Sequence, residues 1–192
     1  MDFFKKYDIN KQILYTKAIH YDRSPLSLKE DATLDEKVLY LTAYDTYQDR
    51  YYRQVRPPFL TSEQINVVHK RLHRKFTGNE DVQNDFTIKL LDGKDHKYKI
   101  IGRADVIKDN IVYELKFVDE LKYIHFLQLA CCMIGLGLEK GILWNVKNNE
   151  RYVVSIPDKE KFMQYVVLAI TKGAVKDSYI SKITSYFEED CC

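Results

Sequence analysis

Apolar and polar positions along this 192-residue chain change their period twice. In the first third they recur at three and four, the spacing of one helix face. Thr33-Leu34-Asp35-Glu36 has the form of a capping box and predicts a helix reaching about Val55. Arg56-Pro57-Pro58 stops it, because proline cannot continue the hydrogen-bond ladder and disfavours helix in the residue before it. Thr61 or Ser62 then caps a second helix to about Phe76. The period next becomes two. Asp85 to Leu91 and Lys97 to Ile107 read as strands about a turn at Asp92-Gly93, and Ile111 to Phe117 as a third strand entered through Asp109-Asn110. A helix apolar nearly all round, capped by Asp119 and reaching about Leu138, should be buried. Gly141 to Val146 and Tyr152 to Ile156 are strands around Asn148-Asn149. Pro157-Asp158 opens a last amphipathic helix to about Lys172.

This order predicts one α/β domain. Residues 1–80 form a helical N-terminal region, 81–172 an α/β core, and 173–192 a tail.

Composition narrows the class. Hydrophobic residues make up 45% and charged residues 30%, as in ordinary globular chains. Thirty Lys+Arg against 28 Asp+Glu leave a formal charge of +2, which excludes a strongly basic tail and an acidic disordered chain. No apolar run is long enough for a membrane span, and Met1 to Asn10 lacks the apolar stretch of a signal peptide. The four cysteines form two adjacent pairs, Cys131-Cys132 and Cys191-Cys192. Such spacing suits neither a zinc site nor an iron–sulfur cluster, and the expectation is reduced thiols in an intracellular, soluble protein.

The average charge hides segregation. Between Arg50 and Phe76 stand seven Lys or Arg and the single acid Glu63. Arg50, Arg53, Lys70, Arg71 and Arg74 are therefore candidates for tracking a phosphate backbone, with a solvated helix face as the plain alternative. Tyr40, Tyr44, Tyr47 and Tyr51 recur at helical spacing. They read as a stripe on the core or, with Tyr51 beside Arg50 and Arg53, as a stacking platform for bases.

Chemistry concentrates between Tyr98 and Phe117. If Asp109-Asn110 is a two-residue turn, Asp105 faces Glu114 and Arg103 faces Lys116, all on one side of the hairpin. Ala104, Val106, Tyr113, Leu115 and Phe117 would form the core side. Opposed carboxylates, with β-carbons about 4.5–5.5 Å apart, repel each other, and a divalent cation held by hard oxygen ligands removes the conflict. Arg103 on that face adds a phosphate contact. Asp/Glu-x-Lys occurs five times in the chain, but only Glu114-Leu115-Lys116 lies within an apolar strand with an aspartate across a hairpin.

Gly102-Arg103-Ala104-Asp105, then Glu114-Leu115-Lys116, then Gln128 on the following helix resembles the PD-(D/E)XK nuclease superfamily. The match is to its RecB-like branch, with motifs G-x-x-D, E-x-K and Q-x-x-x-Y after a helical histidine, and it covers roughly residues 65 to 156. The resemblance implies a restriction-endonuclease-like mixed sheet flanked by helices. It also implies Mg²⁺ or Mn²⁺ held by Asp105, Glu114, the Leu115 carbonyl and His69. Lys116 would orient the attacking water, and Gln128 would reach the site from the helix. Two positions depart from the pattern: Cys132 stands where the family has tyrosine, and Ile65 where glycine commonly precedes the histidine. His73 competes with His69 as ligand.

The expected activity is hydrolysis of phosphodiester bonds in DNA, with RNA as the alternative substrate. The rival is a nucleic-acid-binding module of the same fold, without turnover, serving a helicase or recombinase. Targeting through partners or oligomerisation would suit so small a chain.

Overall fold

A computed structural model describes residues 8–18, 55, 62–92, 97–170 and 178–184. The expected helix from Thr33, its tyrosine stripe, and the candidate contacts Arg50, Tyr51 and Arg53 lie outside these residues, as do Cys191 and Cys192.

In chain order, a 3₁₀ turn at Ile9–Gln12 leads into β1 (Leu14–Lys17). Helix α1 (Ser62–His73) precedes β2 (Asp81–Asp92), β3 (Lys97–Lys108) and β4 (Ile111–Lys116). Then come α2 (Tyr123–Gly135), β5 (Lys140–Asn145), β6 (Glu150–Ser155), α3 (Lys159–Ile170) and β7 (Ser178–Thr184). The strands form one seven-stranded sheet in the order β1-β6-β5-β4-β3-β2-β7. β4 and β5 run parallel, joined through α2, and every other neighbouring pair is antiparallel. The protein is thus mixed α/β, and none of its described helices is long and apolar enough to cross a membrane.

Each face of the sheet carries its own core. On one, Val106, Tyr113, Leu115, Trp144 and Val146 pack with Ile65, Val68, Leu72 and Phe76 from α1 and the chain just after it. On the other, Val112, Leu143 and Val154 pack with α2 and α3. Period-two alternation produces this: Tyr113 and Leu115 face α1, whereas Val112 and Glu114 face α2. Helix α2 buries Phe126, Leu127, Leu129, Met133 and Ile134, at about 1.5–3 kcal/mol of transfer free energy each, which fixes it against the sheet.

Local sequence explains several boundaries. Asp109 and Asn110 both take positive φ (51° and 59°), the signature of a type I′ two-residue turn, so the expected register is correct there. Asn149, at φ 58°, serves the β5–β6 turn. Asp158 caps α3, its Oδ1 accepting from the Lys161 N–H at 2.9 Å.

Other expectations are corrected. The N-terminal region is not wholly helical, because β1 adds an edge strand. All four of its side chains are exposed, so it carries no burial alternation to read. The C-terminal tail contains β7, which pairs with β2, so the sheet extends beyond residue 172. Asp119 does not cap α2. The helix starts four residues later behind Lys122, while Asp119 pairs with Lys147. α1 ends at His73, short of Phe76, and α2 ends at Gly135, short of Leu138.

Candidate active site

The β3–β4 hairpin is regular only near its turn. Backbone pairing runs from Lys108–Ile111 through Ile107–Val112 to Val106–Tyr113, then stops. One step further, the Leu115 N–H donates to Asp105 Oδ2 at 2.7 Å, a side-chain carboxylate standing in for a backbone carbonyl. The β2–β3 ladder also skips this point. Val82 pairs Val106 and Asn84 pairs Ala104, with Gln83 and Asp105 unbridged between them and Gln83 at φ 57°. Both strands exchange faces here: Val82 and Val106 pack toward α1, Phe86 and Ala104 toward α2.

This corrects two expectations. Ala104 does not share a layer with Val106. Asp105 reaches the backbone of β4 instead of simply standing opposite Glu114. The cause is the kink at Gln83 and Asp105, which breaks the alternation on which the flat reading rests.

Around the opening stand three further expected residues. Glu114 is fully buried, and its Oε2 has no hydrogen-bond partner among the described residues. Lys116 Nζ donates to Glu114 Oε1 at 2.6 Å and to Gln128 Oε1 on α2 at 3.0 Å. Burial raises the Glu114 carboxyl to about 7, and the Asp105 charge pushes the same way, against the opposing pull of Lys116. A carboxyl so placed is only partly ionised at neutral pH. Asp105, Glu114, Lys116 and Gln128 are therefore gathered at the mouth of one hairpin, with the Leu115 backbone between them.

α2 presents two more residues on the stripe of Gln128. The Lys122 N–H donates to His125 Nδ1 at 3.0 Å, closing the helix start. Burial and then the charges of Lys116 and Lys122 lower the His125 pKa. Cys132 lies one turn beyond Gln128, is buried, and directs its Sγ toward the Arg103 carbonyl at 3.9 Å. Burial, and after it the Glu114 charge, raises its thiol, so both Cys132 and Cys131 are free, protonated cysteines.

Asn145 was not anticipated. It ends β5, level with Lys116, is fully buried, and donates from Nδ2 to the Val118 carbonyl at 2.7 Å. It thereby pins the loop that leaves Lys116. The signal available in the sequence was an amide closing the apolar strand Gly141 to Val146.

The motif glycine also has a structural reason. A Cβ at Gly102 would overlap the Phe86 ring, and so would one at Gly135 on α2. Two missing side chains let one ring pack between strand and helix.

Several expected residues stand elsewhere. Arg103 does not face Lys116. It forms an exposed ion pair with Asp85, Nε to Oδ1 at 2.5 Å, because β2 lies beside that part of β3. Arg71 is 2% exposed and donates to the Val146 and Lys147 carbonyls at 2.7 and 2.8 Å, which makes it a tie between α1 and the β5–β6 turn. Lys70 on α1 and Arg74 just after it are exposed. His69 and His73 stack with ring centroids 5.9 Å apart on α1, whose apolar residues pack on the opposite sheet face from Glu114. Among the described residues, no three His, Cys, Asp or Glu side chains form a ready set of metal ligands.

The donor set nevertheless suits a hard cation. Two carboxylates converge, and one oxygen of the buried member lacks a partner, an arrangement otherwise costly in a dry site. No family model matches the chain, and neither does any curated protein. Among solved structures it is similar to one titled "Crystal structure of SSO0001", at 20% sequence identity, covering 91% of this chain and 87% of that chain, with a TM-score of 0.43.

Proposed function

We propose that the protein is a divalent-metal-dependent nuclease of the PD-(D/E)XK superfamily, RecB-like branch, with a restriction-endonuclease-like core, hydrolysing phosphodiester bonds in DNA. The observation that carries this reading is Glu114: a wholly buried carboxylate with one partnerless oxygen, beside Asp105 and in contact with Lys116. A purely structural hairpin gains nothing from that arrangement, since the buried charge costs several kcal/mol (about) unless compensated.

Asp105 and Glu114, with the Leu115 carbonyl, would hold Mg²⁺ or Mn²⁺. When bound, the cation supplies an activated water and offsets charge developing on phosphate oxygens. Asp105 is oriented for its part by the Leu115 N–H. Lys116, steered by Glu114 and Gln128, holds a positive charge where the attacking water and the phosphate meet. Gln128 limits where that ammonium can swing. Asn145 fixes the loop after Lys116 so that the strand end stays open.

A second reading draws on Cys132, buried with its Sγ toward the Arg103 carbonyl where the family has tyrosine: the domain binds nucleic acid without turnover, as a subunit beside a helicase or recombinase. Labelled DNA with Mn²⁺ separates the two. The nuclease reading expects cleavage by the wild type and none by Glu114→Ala or Lys116→Ala. Binding without cleavage under any divalent metal supports the second reading, and equal cutting by the variants removes both roles from these residues.

A further inference from the structure

Beyond the kink at Gln83 and Asp105, β2 and β3 run on beside β7 as a three-stranded sheet whose two faces differ in chemistry. Toward α2, Phe86 and Ile88 of β2 and Ile100 of β3 belong to the core. The residues that alternate with them take the other face. There Asp85, Lys99, Ile101 and Arg103 are exposed, and Ile101 keeps 63% of its surface in solvent. The face is open at these positions.

Register decides what that face carries. Arg103 lies across from Asp85, and Ile101 from Thr87, which in turn pairs with Thr184 of β7. One row further, Lys99 lies across from Lys89, and Lys89 from Lys182. Residues directly across from one another share a face, so three lysine positions form one line over three strands, about 4.8 Å apart at each step. Lys97, two residues before Lys99, falls on the same face by alternation. Like charges directly opposite destabilise a sheet, and the Arg103–Asp85 pair on the same two strands is the ordinary way to avoid this. Lysine on an edge strand discourages pairing with another chain, which accounts for Lys182 alone. Lys89 stands on a strand with neighbours on both sides, where no edge needs protecting. The one acid among these positions, Asp85, already serves Arg103.

We propose that the row Lys99, Lys89, Lys182 binds the phosphate backbone of the nucleic acid that is cut at Asp105 and Glu114. The proposal rests on the nuclease reading and adds where the substrate runs. Lys99 and Asp105 stand on one strand, six residues and about 20 Å apart. At the ~3.4 Å spacing of phosphates along one strand of a duplex, the row meets the backbone about six nucleotides from the cut. Arg103 lies between the two, on the lysine face. The lysine line spans about 10 Å across the strands, which suits a polyanion better than one small anion. A membrane contact would pair its lysines with a broad apolar face, and of the described side chains here Ile101 alone is large, apolar and exposed.

The test is fluorescence anisotropy of the full chain with labelled DNA in EDTA, at salt from about 50 to 200 mM, so that binding is read without turnover. The triple variant Lys89→Gln, Lys99→Gln, Lys182→Gln should bind at least about tenfold more weakly at the lower salt. Its slope of log affinity against log salt should fall by about 2–3. The corresponding arginine triple keeps the charge and should bind within about twofold of wild type. Three charges removed elsewhere, by Lys11→Gln, Lys140→Gln and Lys161→Gln, should leave the slope near that of the wild type. Because it relieves like charges, the Lys89, Lys99, Lys182 glutamine triple should keep or raise its urea midpoint, which separates weaker binding from loss of fold. An unchanged slope in that triple, an equal fall in the control triple, or a lowered midpoint overturns the proposal. So does unchanged DNA binding with lost binding to phosphatidylserine vesicles, which would make the row a membrane contact. Mn²⁺-dependent cleavage is scored separately. Cleavage by the wild type with an unchanged slope in the triple removes the lysine row and leaves the nuclease reading. A reduced slope without cleavage by the wild type supports the row and removes the nuclease reading.

Discussion

The two ends of the β3–β4 hairpin obey different rules. At the turn, two residues at positive φ join strands in strict register, with pairing from Lys108–Ile111 to Val106–Tyr113. At the open end pairing stops, β2 and β3 exchange faces at Gln83 and Asp105, and a carboxylate takes the place of a carbonyl. The turn end satisfies local chemistry completely. The open end leaves a buried oxygen without a partner and a carboxyl raised to about 7. Such unfinished structure persists only where its surroundings hold it, and here Phe86, Asn145 and α2 do so.

The largest expected effect breaks the open end chemically. Glu114→Ala or Lys116→Ala should lower Mn²⁺-dependent DNA cleavage by at least about 10²–10³-fold, read by single-turnover assay. Substitution at the turn, such as Asn110→Gly, should leave cleavage near wild type. Equal losses at both ends would erase the contrast.

A second effect concerns pH. Unfolded, the Glu114 side chain titrates near 4.5, and folded near 7. As pH rises through this window, the unfolded chain sheds a proton that the folded chain keeps, so stability falls and is lowest above about 7. The gap corresponds to about 3 kcal/mol. Glu114→Gln in metal-free buffer should therefore be more stable than wild type at pH 8 by up to about 3 kcal/mol and similar to it near pH 4. Urea midpoints at both pH values read this, and a difference independent of pH would contradict it.

Smaller effects follow from packing and strain. Gly135→Ala forces a methyl into the Phe86 ring and should cost about 1–3 kcal/mol, measured by chemical denaturation. A neutral result would show that Phe86 can move and that the kinked end is looser than the contacts suggest. Gln83→Gly relieves a left-handed backbone and should stabilise by about 1 kcal/mol or less. Destabilisation there would mean that the Gln83 side chain holds the kink.

Much of the turn end was legible in the sequence, because Asp109-Asn110 and the alternation around it are local signals. The cluster of Asp105, Glu114, Lys116 and Gln128 was legible as well, through motif order and spacing. The manner of its assembly was not. The change of face at Gln83 and Asp105 comes with a left-handed Gln83 backbone, and no short-range pattern announces it. Arg71 looked like part of a basic surface, yet its guanidinium is spent on two carbonyls of a distant turn. Strand β1 escaped notice because its side chains are all exposed, and β7 because its partner lies about ninety residues earlier in the chain. His69 lies on α1, whose apolar residues pack on the sheet face opposite Glu114, a placement that no local pattern announces.

The central claim is that the open end of the hairpin is a cation site. Titration calorimetry of the wild-type chain and Glu114→Gln with Mn²⁺ at pH 7.5 tests it most directly. The account predicts saturable binding by the wild type, with a fraction of a proton released per site as the Glu114 carboxyl completes its ionisation, and loss of that binding in the variant. Identical isotherms for the two proteins, or no Mn²⁺ binding to the wild type, would contradict it.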